Sequence, residues 1–226
     1  MSGIHFEQDF ISYQEILNNI FSPTNYWGRA LGFCREYLSG KSTFPVMTSG
    51  STGPPKKITL SRTQLHCSAN KTIHVLGLKP SYNALVCVSI DHIGGKMMLV
   101  RGMELGMDLY LQQPSSVIEY RQLPQIDFVA LVPVQLKYLT QSDQGRNFLT
   151  NCQATIVGGA RLDASLEKEF DRYPNPIYHT FGMTETASHF ALRLLNGPNK
   201  QQYYQMLPGV KMSQDHRGCL TVKGDI

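Results

Sequence analysis

Short apolar runs alternate with helix-like segments over most of the chain, and this alternation constrains the fold more than any other feature. The runs are partly β-branched and are bounded by Gly, Pro or polar residues, as buried strands are. They occupy residues 44–47, 58–60, 84–90, 107–111, 126–131, 154–157 and 177–180. Strands that alternate with helices predict an α/β layered domain with a mostly parallel sheet flanked by helices.

Helix signals occupy the segments between these runs. Apolar residues at helical spacing predict helices over residues 26–38, 61–75, 95–105, 133–139 and 163–170. Ser61 and Asp163 are suitable N-cap residues, and Pro133 is favoured at the first position of a helix. Gly40 follows the first of these helices, as is common at a helix end.

After about residue 190 the pattern changes to short strands broken by Gly and Pro. The chain therefore divides into three parts on sequence grounds. Residues 1–43 are expected to form an N-terminal helical segment that packs on the core. Residues 44–190 form the α/β core, and residues 191–226 form a short β subdomain.

The composition favours a globular protein and excludes several classes. The chain has 226 residues, of which 42% are hydrophobic and 17% are charged. The formal net charge is +4 and the basic residues are scattered, so no nucleic-acid partner is expected. The five cysteines form no C-x-x-C pair, and the histidines have no zinc spacing. The N-terminus resembles neither a signal peptide nor a membrane span, so we expect a cytoplasmic protein with no membrane partner.

The most informative polar loop is residues 48–57, with the sequence TSGSTGPPKK. Gly50 and Gly53 have no Cβ, so backbone N–H groups there can approach a ligand closely. Hydroxyl donors come from Thr48, Ser49, Ser51 and Thr52, and cations from Lys56 and Lys57. This combination of donors fits a polyphosphate.

The loop differs from a Walker A loop. Two prolines separate Gly53 from Lys56, and a strand rather than a helix is expected to follow. A Ser/Gly-rich hairpin loop that binds no ligand is the alternative interpretation.

Further polar segments follow other predicted strands. VGGARL at 157–162 could be only a tight turn, and HTFGMTET at 179–186 could be only a capping segment before a helix. Thr184 and Glu185 also offer a hydroxyl and a carboxylate, oxygen groups that suit a phosphate and its Mg²⁺. Ligands of parallel sheets collect at the carboxyl ends of strands, so these loops predict a single site.

Two basic side chains stand out between residues 89 and 103. His92 follows a predicted strand and precedes two glycines, and Arg101 lies in an otherwise apolar helix. A buried arginine is costly without an anion, so Arg101 is a candidate for binding an acidic group. A structural His92 and a solvated Arg101 are the alternatives.

Taken in order, T-S-G-S-T-G-x-P-K, G-G-A and F-G-x-T-E resemble the motifs of the adenylate-forming superfamily. This superfamily contains acyl- and aryl-CoA ligases, luciferases and peptide-synthetase adenylation domains. Lys57 stands where the superfamily usually has Gly, and Phe181 replaces a tyrosine. The resemblance implies that the fold is the large N-terminal domain of such an enzyme, with short strands at its C-terminal end.

The same resemblance implies specific roles. Lys56 would hold the β- and γ-phosphates of ATP, Phe181 would stack near adenine, and Thr184 and Glu185 would bind Mg²⁺. The implied nucleotide-binding residues are Thr48, Ser49, Gly50, Ser51, Thr52, Gly53, Lys56, Gly158, Gly159, Ala160, Thr180, Phe181, Gly182, Met183 and Thr184. The implied catalytic residues are Lys56, His92, Thr184 and Glu185.

Within the superfamily, His92 and Arg101 with the segments 127–135 and 182–193 are similar to the compact o-succinylbenzoate–CoA ligases of menaquinone biosynthesis. This similarity implies an aromatic dicarboxylate as the substrate, in contact with His92, Gly94, Arg101 and Ser188. A homodimer is compatible with it. Core residues 44–190 would then bind both nucleotide and acyl substrate.

The implied reaction uses ATP, Mg²⁺ and coenzyme A. A carboxylate attacks the α-phosphorus of ATP to give an acyl-adenylate and pyrophosphate, and the thiol of coenzyme A then displaces AMP. In the superfamily, a strand such as GCLTVKGDI precedes a ribose-binding aspartate and a small domain with a catalytic lysine. We therefore expect a truncated large domain with low ligase activity on its own. Another acyl-CoA ligase, a non-catalytic nucleotide-binding module and a structural or partner-binding domain remain alternatives.

Overall fold

The computed structural model describes residues 2–48 and 54–224. Thirteen strands occur in the described residues, nine of them in one sheet and the rest in two small hairpins. They are Gly3–Phe6 (β1), Asp9–Ser12 (β2), Thr43–Met47 (β3), Lys57–Ser61 (β4), Asn83–Val86 (β5), Asp108–Leu111 (β6), Phe128–Leu131 (β7), Ala154–Val157 (β8), Ile177–Met183 (β9), Ser188–Leu194 (β10), Gln205–Met206 (β11), Lys211–Gln214 (β12) and Leu220–Lys223 (β13).

The large sheet has the strand order β11-β10-β9-β8-β7-β5-β6-β1-β2. Neighbouring strands from β9 to β1 run parallel, and the outer strands β2, β10 and β11 run antiparallel to their neighbours. This sheet confirms the predicted α/β class with a mostly parallel sheet. The strand order reverses between β5 and β7, because β6 lies on one side of β5 and strands β7 to β9 lie on the other. At such a reversal, the carboxyl ends of the strands leave a crevice in which ligands bind.

Seven helices connect these strands in the described residues. They are Tyr13–Asn18 (α1), Tyr26–Leu38 (α2), Arg62–Leu76 (α3), Ile93–Leu105 (α4), Pro133–Thr140 (α5), Asp143–Asn151 (α6) and Ala164–Glu167 (α7), with 3₁₀ turns at Phe170–Arg172 and Thr184–Thr186. Ser61 caps α3 as predicted, because its side chain accepts a hydrogen bond from the backbone of Gln64. Gly77 ends α3 in the left-handed conformation, which favours glycine.

Alternation along the strands places a separate core on each face of the sheet. In β7, Phe128 and Ala130 pack on the side of α2, α3 and α4, whereas Val129 and Leu131 pack on the side of α5 and α6. All four side chains are buried, because a strand covered on both faces has no solvent side. Burying one such large side chain contributes about 1.5–3 kcal/mol.

Several predicted elements differ from the structure. The strand predicted at 84–90 ends at Val86, because the chain then turns toward α4, which begins earlier than expected, at Ile93. The helix predicted at 163–170 is only one turn followed by a 3₁₀ turn. The alternative helix after residues 179–186 is wrong, since a 3₁₀ turn leads into strand β10 there.

The N-terminal segment contains strands as well as helices. Residues 3–6 form β1, which extends the sheet by pairing in parallel with β6, and β2 completes the edge. Ile4 is fully buried, so this strand belongs to the core of the sheet. Strand β10 crosses the proposed boundary at residue 190. The three-part division of the chain therefore remains a proposal.

Candidate active site

The carboxyl ends of the parallel strands surround one large cavity of about 1220 Å³. Its walls come from the segments after β5, β7 and β8, from the second half of β9 and from both ends of the β3–β4 loop. Every predicted site residue that the structure describes lines this cavity: Thr48, Lys56, His92, Gly94, Arg101, Gly158, Gly159, Ala160, Thr180, Phe181, Gly182, Met183, Thr184, Glu185 and Ser188. The cavity is large enough for a nucleotide and a small acid together.

The polar loop between β3 and β4 is closed by hydrogen bonds at its base. The backbone N–H of Thr48 donates to the carbonyl of Lys56 at 2.9 Å, and the Lys56 N–H donates to Thr48 Oγ1 at 3.0 Å. Predicted residues Ser49, Gly50, Ser51, Thr52 and Gly53 lie outside the described residues. The Lys56 side chain is exposed at the mouth of the cavity, where a cation can reach a phosphate without a burial cost.

Gly158 and Gly159 bring the backbone close to the cavity. A Cβ on Gly158 would overlap Thr180 Oγ1, so a larger residue there would displace the Thr180 side chain from its present position. Gly159 has a φ of 81°, a left-handed conformation that favours glycine. The two glycines therefore leave a backbone surface with no side chain, against which a flat ring can lie.

His179 holds this backbone surface in place. Its Nε2 lies 3.1 Å from the Ala160 carbonyl, and the Tyr204 hydroxyl lies 2.6 Å from Nδ1. The carbonyl can only accept, so Nε2 carries the proton and Nδ1 accepts from Tyr204. Burial lowers the pKa of His179 from its ordinary value, in agreement with a neutral ring.

Phe181 presents an aromatic ring to the cavity. Its side chain is exposed, and its ring packs edge-on against Phe190 at 5.2 Å and tilted against Tyr204 at 5.4 Å. These two contacts fix the ring, while its exposed area is available for stacking on a ligand. The substitution of Phe for tyrosine therefore keeps the ring in the cavity wall.

Thr184 and Glu185 lie on the 3₁₀ turn between β9 and β10. Glu185 is exposed, and no described side chain pairs with its carboxylate. The described residues contain no group of three His, Cys, Asp or Glu side chains that could hold a metal by themselves. Mg²⁺ is commonly held by one or two carboxylates together with phosphate oxygens, so this turn fits a metal that arrives with a nucleotide.

Arg101 lies at the inner end of the cavity. The residue is 1% exposed, and its Nη2 donates to Ser188 Oγ at 3.0 Å. Its other contact is a weak one to the sulfur of Met98 at 3.9 Å, and Nε has no hydrogen-bond partner among the described residues. Burial lowers the pKa of Arg101 to about 9, which still leaves the guanidinium charged at neutral pH. A buried charge without a carboxylate is a site for an anion.

His92 is the N-cap residue of α4 and makes no capping hydrogen bond through its side chain. Its side chain is exposed, and Gly94 beside it is exposed as well. Both residues line the cavity, as Lys56 and the buried Arg101 do. The positive end of the helix dipole therefore also faces the cavity.

Two ends of the cavity differ in exposure. We call the exposed residues Lys56, Phe181, Met183 and Glu185 the open end, and the buried residues Arg101, Ser188 and His189 the buried end. His179, His189 and Tyr204 line the cavity but were not predicted as site residues. His179 lies inside a quoted motif and could have been proposed from its position, whereas Tyr204 lies in a segment with no motif.

A large sheet with both ends of a polar loop, a backbone pocket and an acidic turn around one cavity indicates a nucleotide-binding α/β enzyme domain. The sequence profile of the AMP-binding enzyme family matches residues 44–214, so the chain belongs to that family. The predicted membership of the adenylate-forming superfamily is thereby confirmed.

Relatives agree with this membership but extend beyond the chain. The 2-succinylbenzoate–CoA ligase of Staphylococcus aureus (strain MSSA476) is 33% identical over 148 residues, which cover 64% of this chain and 30% of the ligase. An acyl-CoA synthetase (AMP-forming)/AMP-acid ligase II-like protein from Dyadobacter fermentans is 37% identical with a TM-score of 0.85. That match covers 94% of this chain and 61% of the other.

A third comparison concerns the fold alone. The o-succinylbenzoate coenzyme A synthetase of Bacillus subtilis, solved with ATP and magnesium ion, is 21% identical with a TM-score of 0.66. The match covers 80% of this chain and 41% of the synthetase. No described helix is long and apolar enough to cross a membrane.

Proposed function

We propose that the chain is the nucleotide- and acid-binding part of an ATP-dependent acid–CoA ligase that forms AMP and pyrophosphate. The proposal rests on family membership and on one cavity that joins the base of the polar loop, the glycine pair and the Thr184–Glu185 turn. A cytoplasmic location, where ATP and coenzyme A are available, is part of the same proposal.

The substrate proposed for this ligase is an aromatic dicarboxylate of the o-succinylbenzoate type. The observation that carries it is the buried Arg101, whose guanidinium has one strong hydrogen bond and no carboxylate partner in the described chain. Relatives named as 2-succinylbenzoate–CoA ligases support the same substrate. The Dyadobacter protein favours the broader alternative, an acyl-CoA ligase for another acid.

The nucleotide-binding residues have the following roles in this proposal. Lys56 would donate to the β- and γ-phosphates, and Gly158 to Ala160 with Phe181 would enclose adenine. Thr184 would donate to the α-phosphate, and Glu185 would hold Mg²⁺ beside it. Mg²⁺, when bound, would neutralise charge on the phosphate oxygens as the carboxylate attacks.

The remaining residues orient the acid. Arg101 and Ser188 would bind the second carboxylate of the substrate at the buried end, and His92 and Gly94 would lie beside the reacting one. Holding both reactants in one orientation and excluding water contributes more than any single proton transfer in such a reaction. Coenzyme A is proposed as the co-substrate of the second step.

Calorimetric titration of the 226-residue chain with ATP tests the nucleotide half of this proposal. Lys56→Ala should lower ATP affinity about tenfold, the effect of one charge-assisted hydrogen bond. Lys57→Ala is the matched control, because Lys57 is an adjacent exposed lysine that does not line the cavity. Equal affinities for the two variants would contradict the role of Lys56.

The metal role is tested by the same titration with and without Mg²⁺. Glu185→Gln removes the charge and keeps the shape, so it should reduce ATP affinity more with Mg²⁺ than without it. The same loss under both conditions would exclude Glu185 as a metal ligand. No measurable ATP binding by the unmodified chain would contradict the nucleotide-binding proposal as a whole.

A further inference from the structure

A chain of buried hydrogen bonds connects helix α3 to the Arg101 guanidinium. Arg101 Nη2 donates to Ser188 Oγ at 3.0 Å, and Ser188 Oγ lies 3.4 Å from His189 Nδ1. On the other side of the ring, His189 Nε2 lies 3.1 Å from Thr72 Oγ1. Thr72 Oγ1 in turn donates to the Ser68 carbonyl at 3.1 Å.

With all four bonds made together, the groups at the two ends restrict the directions of these bonds. The Arg101 guanidinium can only donate, so Ser188 Oγ accepts from it and has its own proton left for His189 Nδ1. The Ser68 carbonyl can only accept, so it takes the Thr72 proton. His189 Nε2 must then carry a proton and donate it to Thr72 Oγ1. Nδ1 accepts the Ser188 proton when the ring is neutral, a state that burial and the neighbouring Arg101 charge favour by lowering the pKa of His189.

Neutrality of His189 matters because Arg101 lies beside it. Both residues are buried, at 5% and 1% exposure, and no described carboxylate pairs with either. A second cation there would repel the guanidinium in a medium that screens charge poorly. Burial first, and the Arg101 charge second, lower the pKa of His189 well below its ordinary value.

We propose that Thr72 and His189 are positioning residues, which orient the Arg101 guanidinium toward an acidic group in the cavity through this directed chain. The nature of that acid rests on the proposed function, whereas the chain itself does not. With Nη2 donating to Ser188 and Nη1 in a weak contact with Met98 Sδ, Nε is the guanidinium N–H group that has no partner among the described residues. Thr72 is fully buried and does not line the cavity, so it acts only through His189.

Nuclear magnetic resonance tests the chain without a substrate. In the free 226-residue protein at pH 7, the ring ¹⁵N shifts of His189 should show the neutral tautomer with the proton on Nε2. The Nη–H signals of Arg101 should be resolved, because the Ser188 bond restricts rotation of the guanidinium. A proton on Nδ1, or a doubly protonated ring, would overturn the proposal.

Thr72→Val keeps the volume of the side chain and removes the hydroxyl. The Nε2 proton then has no acceptor, so the ring should change to the Nδ1 tautomer and its N–H should point at Ser188 Oγ. Ser188 Oγ would then accept from two donors and no longer donate to the ring, which weakens its bond to Arg101, so the Arg101 Nη–H signals should shift toward one another. Thr72→Ser is the matched control, since it restores the hydroxyl and should restore both spectra. Unchanged Arg101 signals in Thr72→Val, with its folding verified by dispersed amide signals, would overturn the proposal.

Binding then measures the consequence for recognition. The probes are o-succinylbenzoate and 4-oxo-4-phenylbutanoate, which has the same skeleton without the ring carboxylate. Thr72→Val should lower affinity for the diacid about three- to tenfold, the effect of one misdirected hydrogen bond, with little change for the monoacid or for ATP. Thr72→Ser should bind the diacid like the unmodified chain. A Thr72→Val variant with unchanged diacid affinity contradicts the positioning role.

This design separates the two proposals. An unmodified chain that binds both acids equally would show that the diacid substrate is wrong, while the His189 and Arg101 signals would still decide whether the positioning chain exists. Diacid preference combined with the Nδ1 tautomer would leave the proposed substrate standing and remove Thr72 and His189 from its recognition.

Discussion

The two ends of the cavity differ in how their charged and polar groups are stabilised. At the open end, Lys56 and Glu185 stay in water and make no ion pair within the described chain, so their charges cost little in the absence of a ligand. At the buried end, Arg101, Ser188 and His189 have lost water and need protein partners. A ligand at the open end competes with solvent, whereas an anion at the buried end supplies a partner that the fold omits.

This difference separates affinity from selectivity. Exposed charges gain little from each contact, so strong binding at the open end depends on many donors acting together on one polyphosphate. A desolvated guanidinium discriminates strongly, because an acid that leaves it unpaired loses the full value of the interaction. The buried end is therefore expected to select the substrate, and the predictions below test that assignment.

The largest effect is expected for Arg101→Leu. The change removes the only charge that the described residues place at the buried end, so affinity for o-succinylbenzoate should fall about 10–100-fold, as for a charged hydrogen bond worth about 1.5–3 kcal/mol. Affinity for 4-oxo-4-phenylbutanoate should change much less. Calorimetric titration of both acids measures the difference.

Arg161→Leu is the control for this prediction. Arg161 is an exposed arginine on the same cavity, so the same chemical change there should leave the diacid preference intact. A similar loss of both acids in Arg101→Leu would assign Arg101 a structural role. The contrast between the two ends of the cavity would then have no consequence for specificity.

Gly182→Ala should lower the stability of the fold and the affinity for ligands at both ends of the cavity. Gly182 pairs with His189 where β9 meets β10, and a Cβ would overlap the backbone of Ser188 and His189. Overpacking against backbone destabilises by about 1–3 kcal/mol, so urea unfolding should show a loss in that range. The control is Gly32→Ala in α2, where a Cβ meets nothing within 4 Å. Unchanged stability and unchanged affinity for both ATP and diacid would contradict this prediction and show that the two ends of the cavity do not depend on the contact at Gly182.

Lowering the pH should destabilise the fold, in part because of His189 at the buried end of the cavity. The pKa of His189 is lowered in the folded chain, so below about pH 6.5 the unfolded chain binds a proton that the folded chain does not. Stability therefore falls as pH decreases from 6.5 to 5, by up to about 1.4 kcal/mol per pH unit for one such histidine. His179, whose pKa is also lowered, contributes in the same direction.

His189→Asn isolates this contribution. The variant cannot bind the proton, so its stability should depend less on pH than that of the unmodified chain between pH 6.5 and 5. His216→Asn is the control, because His216 is exposed on the turn between β12 and β13. Urea unfolding at several pH values measures both slopes, and equal slopes for His189→Asn and the unmodified chain would refute the prediction.

The open end was easier to predict from the sequence than the buried end. Lys56, Phe181 and Glu185 lie in short motifs whose residue types indicate the ligands that they can bind. The partners of Arg101 are not local, since Ser188 is 87 residues away and Thr72 lies 117 residues from His189. Only the packing of α3 and α4 against β10 brings these groups together.

Local signals predicted helix α2 better than strand limits, whereas helices α1 and α6 were not predicted. The predicted bounds of α2 agree with the structure, because its apolar stripe and terminal glycine act within the segment. Strand ends depend on neighbours, so the run 84–90 pairs only as far as Val86, where β6 and β7 also stop pairing with it. The N-terminal strands β1 and β2 were missed, since β1 pairs with β6, about 100 residues later, and β2 in turn pairs with β1.

The smallest expected effect concerns Gly94, a residue of the cavity wall that belongs to neither named end. Gly94 lies in the first turn of α4, is exposed, and offers open space for a Cβ. Gly94→Ala should therefore raise stability by about 0.5 kcal/mol, because alanine loses less backbone entropy on entering a helix. Under the proposed substrate contact of Gly94, the same methyl group would occupy space that the acid needs, so affinity for o-succinylbenzoate should fall severalfold while ATP affinity stays the same. Thermal unfolding and calorimetry measure the two effects on one variant. A more stable variant that binds the diacid as well as the unmodified chain would remove Gly94 from the substrate contact and confine recognition to the buried end.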